Sequence, residues 1–120
     1  MTNDKQKEIA VDFDGTLFDD NFPEAGKPIW KVINAIKQYK SDGHIIILWT
    51  CRVGEALSEA IEMCKEVGIV FDFINENSPK FVKMYGSDCR KVCADIYIDD
   101  RAYNPDCFES IPTFGKAKEN

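Results

Sequence analysis

Four short apolar runs, each ending abruptly in polar residues and separated by helical stripes, constrain this chain more than any other feature. The first, Glu8–Phe13 (EIAVDF), suits a buried strand. DGTLFDDNFPEAGKP follows; its Asp, Gly and Pro content predicts an irregular loop or flap. Pro28 is placed to open a helix through about Lys40, with Ile29, Val32, Ile33, Ile36 and Tyr39 on one face. Asp42-Gly43 ends it, and HIIILW is a second strand. A second helical stripe runs from Gly54 to Val67 through Ala56, Leu57, Ala60, Ile61 and Cys64. Ile69–Asn75 is the third strand, Ser78-Pro79 starts a short helix to Tyr85, and Asp95–Ile98 is the fourth strand.

Strands alternating with amphipathic helices predict an α/β fold: a three-layer, doubly wound, Rossmann-like parallel sheet with helices on both faces. The 120 residues fit a single domain, with a core over about 8–101 and an irregular tail at 102–120. Ligands bind such sheets beyond the carboxyl ends of the strands. The residues expected there are Asp12 to Thr16, Thr50-Cys51-Arg52, Asn75-Glu76-Asn77 and Asp99-Asp100-Arg101.

That rim is strongly acidic. Asp12 and Asp14, two residues apart at a strand end, point to one side, and Asp99 and Asp100 arrive from another strand. Two carboxylates about 4 Å apart repel by roughly 4 kcal/mol at an effective dielectric of 20. A shared proton or a cation must relieve this. Hard oxygen ligands, one histidine in the chain and no C-x-x-C pair favour Mg²⁺ over zinc. The five cysteines (51, 64, 89, 93 and 107) lack the Cys-x₅-Arg spacing of a cysteine phosphatase and read as reduced thiols. The net charge of −6 speaks against a sequence-independent nucleic-acid partner. No apolar run has the length of a membrane span, and the polar MTNDKQKE start lacks a signal core, so a cytoplasmic location is expected. The oligomeric state is not legible.

Asp12-Phe13-Asp14-Gly15-Thr16 after a first apolar strand, Thr50 ending the second and Asp99-Asp100 ending the fourth resemble the haloacid dehalogenase-like phosphatases, over residues 8–101. The resemblance implies Mg²⁺-dependent hydrolysis of a phosphorylated substrate. Asp12 is then the nucleophile that forms an aspartyl-phosphate, and Asp14 the general acid and base. Thr50, with N–H groups near Gly15, Thr16 and Cys51, holds the phosphoryl oxygens. The Asp12 and Asp99 side chains and the Asp14 carbonyl bind the metal, and Asp100 orients Asp99 or binds a metal water. Lys91 neutralises the transferring charge, with Lys80 as its competitor; RKVCADIYIDDR resembles the corresponding stretch of 5′(3′)-deoxyribonucleotidases. Arg52 reaches a phosphate or substrate carboxylate, or forms a structural salt bridge.

Other residues carry simpler expectations. Asp19 and Asp20 are solvated loop charges; Phe22 and Trp30, which flank the flap, pack in the core or else contact substrate; Trp49 packs in the core, and His44 is structural. About 35 residues separate Asp14 from Thr50 and about 40 separate Thr50 from Lys91; neither gap holds an independent cap domain. Two alternatives share the composition: a phosphorylation-dependent receiver domain, whose reactive Asp follows the third strand, and a weakly catalytic phosphate-binding protein of the same fold.

Overall fold

The computed structural model describes residues 6–88, 91–101 and 116. The elements run β1 (Glu8–Val11), β2 (Phe18–Asn21), β3 (Glu24–Pro28), α1 (Trp30–Ser41), β4 (Ile45–Leu48), α2 (Gly54–Glu66), β5 (Phe73–Ile74), α3 (Pro79–Tyr85) and β6 (Ile96–Ile98). β5, β4, β1 and β6 form one parallel sheet in that spatial order. The α/β expectation holds. The tail expected at 102–120, with Cys107, lies outside the described residues apart from Lys116, as does Cys89.

Alternation along β1 divides the core between the two faces. Ile9 and Val11 join Ile46, Leu48, Ile33, Ile36, Ala60, Cys64 and Ile69 under α1 and α2. On the other face Ala10 packs with Ile47 and Val92, flanked by Ile45, Trp49, Phe73 and Ala94. α3 contributes no buried residue. Ser78 caps it by accepting from the Phe81 N–H, Pro79 sits in its first turn, and Gly86 at φ 80° ends it.

Two strands are shorter than their apolar runs. Asp72 donates its N–H to the Ile46 carbonyl and accepts the Ile46 N–H on its own carboxylate, at 2.8 Å each. Asp95 does the same with Glu8. Each aspartate side chain replaces a backbone carbonyl where the ladder begins, so regular pairing starts only after it.

The segment read as an irregular flap is instead an antiparallel hairpin, β2–β3, with a register shift between Phe18 and Asp20. Its base is a tight turn in which the N–H groups of Thr16, Leu17 and Phe18 all donate to the Phe13 carbonyl. Leu17 and Phe18 are fully buried, which fastens the hairpin to the core. Its tip is solvated: Phe22 is 61% exposed, and Trp30 at the start of α1 is 51% exposed, so neither is the core residue expected.

Candidate active site

The strand ends deliver four polar segments to one rim. Asp12 continues the β1–β6 ladder, its N–H donating to the Ile98 carbonyl at 3.0 Å. Trp49 does likewise from β4 to Val11, and Asn75 from β5 to Leu48. Asn75, at φ 53°, also brackets Thr50: its amide oxygen accepts the Thr50 N–H and its amide nitrogen donates to the Thr50 carbonyl, both at 2.8 Å. The third segment therefore holds the second in place. Asn77, buried, instead binds Asp88 and the Cys93 N–H.

Together these ends enclose a cavity of about 320 Å³ lined by Asp12, Asp14, Asp20, Trp49, Thr50, Cys51, Asp99, Asp100 and Arg101. Carboxylate oxygens of Asp12, Asp99 and Asp100 lie within 4.8 Å of one another. Burial, then the neighbouring Asp99, Asp100 and Asp14 charges, pushes the Asp12 carboxyl up to about 6, against a hydrogen bond from the Phe13 backbone. Desolvation first, and Asp99 next, raises Asp100 as well. Three crowded oxygen donors, two with raised affinity for a proton, fit a hard cation that would replace the proton.

The Asp14 carboxylate does not join this cluster. It faces Arg52, whose Nε reaches Oδ2 at 2.8 Å and whose Nη2 reaches Oδ1 at 2.7 Å. Arg52 is 2% exposed and absent from the cavity lining, so of its two expected roles the structure shows the salt bridge.

Gly15 and Thr16 also differ from expectation. Their N–H groups donate inside the turn, to the Phe18 and Phe13 carbonyls at 2.7 and 3.2 Å, and do not face the rim. What both residues contact is Asp100. The Thr16 hydroxyl accepts the Asp100 N–H at 3.1 Å. A Cβ at Gly15, φ 82°, would lie 2.4 Å from Asp100 Oδ2, so only glycine lets that carboxylate come this close. Thr50 and Cys51 line the cavity, and the Thr50 hydroxyl accepts the Arg52 N–H at 3.1 Å.

The two candidate lysines separate. Lys91 lines a second cavity of about 280 Å³ with Ala10, Trp49, Tyr97, Ile98 and Asp99, adjoining the first through Trp49 and Asp99. Lys80 lowers the proton affinity of Glu8, at the opposite end of β1 from Asp12.

Three lining residues had no role at the site in the sequence reading. Trp49 packs, partly buried, against the Ala10, Ile47 and Val92 cluster as the core reading expected, and it also lines both cavities. Asp20 was read as a solvated charge, and reaches the site because the hairpin folds back. Arg101 was grouped with the rim but given no role; its N–H donates to Asp99 Oδ1 at 2.9 Å. The apolar run HIIILW signalled its strand and the Asp-rich segment did not signal its hairpin; neither signalled which way these side chains turn. His44 is structural, as expected, its Nδ1 accepting the Lys7 N–H.

Comparison with known proteins decides the lineage. Residues 9–80 match the haloacid dehalogenase-like hydrolase family, more than half of the chain and all of the first two motif segments. The chain belongs to the haloacid dehalogenase-like hydrolases. A solved structure, of a conserved protein coded by a locus from Bacteroides thetaiotaomicron, is similar to it at 37% identity and a TM-score of 0.72. The match covers 91% of this chain and 84% of that one. No curated protein matches the chain. Membership carries hydrolase chemistry in general, and the receiver alternative falls away, since the match is to a hydrolase family and the residue that follows β5 at the rim is Asn75 rather than an aspartate. Among the described residues no helix is long and apolar enough to cross a membrane.

Proposed function

We propose that this haloacid dehalogenase-like hydrolase is a Mg²⁺-dependent phosphomonoesterase working through a phosphorylated Asp12. The observation that carries the reading is the meeting of Asp12, Asp99 and Asp100 within 4.8 Å, in a cavity that Asp14 and Thr50 also line. Asp12 and Asp99, with Asp100 close by, would hold the cation; when bound it neutralises the carboxylates and the phosphoryl oxygens drawn towards them.

An Asp12 carboxylate oxygen attacks phosphorus, the bond from phosphorus to the leaving oxygen breaks, and Asp14 supplies that oxygen with its proton. Water then attacks the aspartyl-phosphate, Asp14 takes its proton, and cleavage of the bond between phosphorus and Asp12 releases phosphate. Thr50 holds a phosphoryl oxygen through its hydroxyl. Its orientation is fixed from three sides, by both groups of Asn75 and by the Arg52 N–H. Lys91, which lines the adjoining cavity with Asp99, would offset charge from that side.

A cavity of about 320 Å³ has room for a phosphoryl group and part of a leaving group. Trp49 and the hairpin residue Asp20 also line it, so the space for a leaving group is bordered by an aromatic side chain and an acceptor.

The test is hydrolysis of an aryl phosphate with and without Mg²⁺. Asp12→Asn is expected to lower kcat by at least about 1,000-fold, the scale on which removal of a covalent nucleophile acts. Turnover that survives this change, or an excess of chelator, would remove the mechanism.

A further inference from the structure

Every N–H of the Arg52 guanidinium has a partner within the chain. Nε and Nη2 form a fork on the two Asp14 oxygens, and Nη2 also donates to the Glu24 carbonyl at 2.9 Å. Nη1 donates to the Pro23 carbonyl at 2.8 Å and the Ala56 carbonyl at 3.1 Å. The group also stands over two rings, its central carbon 4.8 Å from the Phe13 centroid and 5.1 Å from that of Phe22. With five donors in use and the side chain buried, none is left for a substrate.

These contacts have a direction. Asp14 is the one anion the guanidinium touches; the other acceptors are neutral carbonyls on the hairpin turn and the first turn of α2. To turn away, Asp14 must break two charge-assisted bonds that water cannot replace at a buried partner. The fork fixes the plane of the carboxylate, which lysine, with a single point charge, cannot do. Meanwhile the Arg52 backbone N–H orients Thr50, and that bond does not depend on the side chain.

We propose that Arg52 is a positioning residue: it sets the Asp14 carboxylate against the cavity and couples that setting to hairpin β2–β3. The proposal rests on the proton-transfer role given to Asp14 above. It makes the hairpin tip part of the catalytic apparatus, through the Pro23 and Glu24 carbonyls and the Phe22 ring, although the tip carries no group that touches the reacting atoms. Displacement of the tip by a leaving group moves Arg52, and with it Asp14.

The test is a double-mutant cycle with p-nitrophenyl phosphate at saturating Mg²⁺. Arg52→Lys is expected to lower kcat by about 100-fold, as a misplaced catalytic group does, with KM within about threefold. In the Asp14→Asn background the same change is expected to alter kcat less than about twofold, because the residue it acts through has gone. An equal loss in both backgrounds would show a merely structural role and overturn the proposal. Should Arg52→Lys fail to fold, Phe22→Ala carries the cycle. That exposed ring leaves no cavity, and its loss is expected to cost about threefold in kcat with Asp14 present and nothing without it. No loss in either background overturns the coupling.

A crystal structure of Arg52→Lys, or of Phe22→Ala in its place, gives a readout without turnover. A shifted Asp14 carboxylate supports the proposal, and an unmoved one sinks it. Wild-type inactivity on phosphate esters, or an active Asp12→Asn, would instead remove the phosphatase reading while leaving this crystallographic arm decisive.

Discussion

Glu8 is 1% exposed at the start of β1, and its Oε1 has no hydrogen-bond partner; Oε2 accepts from the Ser78 hydroxyl at 3.0 Å. Burial raises its carboxyl above the ordinary value, against the Ser78 bond and the Lys80 charge, and the Asp95 charge adds to the rise. An acid whose folded-state affinity for protons is raised stabilises the fold most below its unfolded value of 4.5. That contribution declines as pH climbs from there through the folded value. Glu8→Gln is therefore expected to stabilise the protein by about 1 kcal/mol at neutral pH and to make little difference near pH 4. Melting curves across pH check this; equal midpoints at neutral pH would show that the buried charge is tolerated without cost. Cys64 contrasts with it: burial pushes its thiol up to about 12, so of the two α2-side cysteines only the exposed Cys51 is open to alkylation.

At the scale of elements, the hairpin and α3 illustrate two ways of attaching a short piece. The hairpin is anchored by buried Leu17 and Phe18 and by the Arg52 network, and it closes only because Gly26 lacks a side chain. A Cβ there would lie 2.1 Å from the Asp19 carbonyl. Gly26→Ala is expected to cost about 1–3 kcal/mol by forcing the strands apart. In activity assays it should lower kcat as well, since Asp20 and the Arg52 acceptors move with the strand. A variant with unchanged kcat would detach the hairpin from catalysis.

α3 has no buried residue, so its anchor is the Ser78 cap together with the Ser78 to Glu8 bond. Removing the hydroxyl in Ser78→Ala strips a cap worth about 1 kcal/mol and leaves both Glu8 oxygens unpartnered. The loss should shrink when Glu8→Gln is already present, a coupling that denaturant titration of the single and double variants measures.

For the whole molecule, the acidic rim links proton binding to stability, and the proposed cation would act through the same carboxylates. Asp12 binds its proton at about 6 rather than 3.8, so without a cation the folded protein loses stability as pH rises across that window. A divalent ion that takes the place of the proton reverses the loss. Mg²⁺ at a hundred times its Kd adds about 2.7 kcal/mol. The midpoint gain on adding Mg²⁺ is expected to be larger at about pH 7.5 than at about pH 5, where the ion must displace a proton. A gain that is equal at both values, or absent, would disconnect the carboxylate cluster from metal binding.

Local pattern determined the strands of the parallel sheet and the helices between them, because alternation and helical spacing are properties of neighbouring residues; the family came instead from the resemblance of Asp12 to Thr16 to a known motif, which the family match bears out. It also brought Asp12, Asp99 and Thr50 to one rim, since parallel strands must end on the same side. Tertiary structure alone decided which way the polar side chains turned there. The Asp14 carboxylate faces Arg52 rather than the Asp12, Asp99 and Asp100 oxygens, Gly15 and Thr16 contact Asp100, Trp49 lines the site, and the supposed loop pairs into a hairpin. Each outcome depends on backbone carbonyls and carboxylates distant in the chain. A hydrogen bond to a carbonyl such as that of Pro23 or Glu24 leaves no mark on residue type, so no reading of the sequence could have located it.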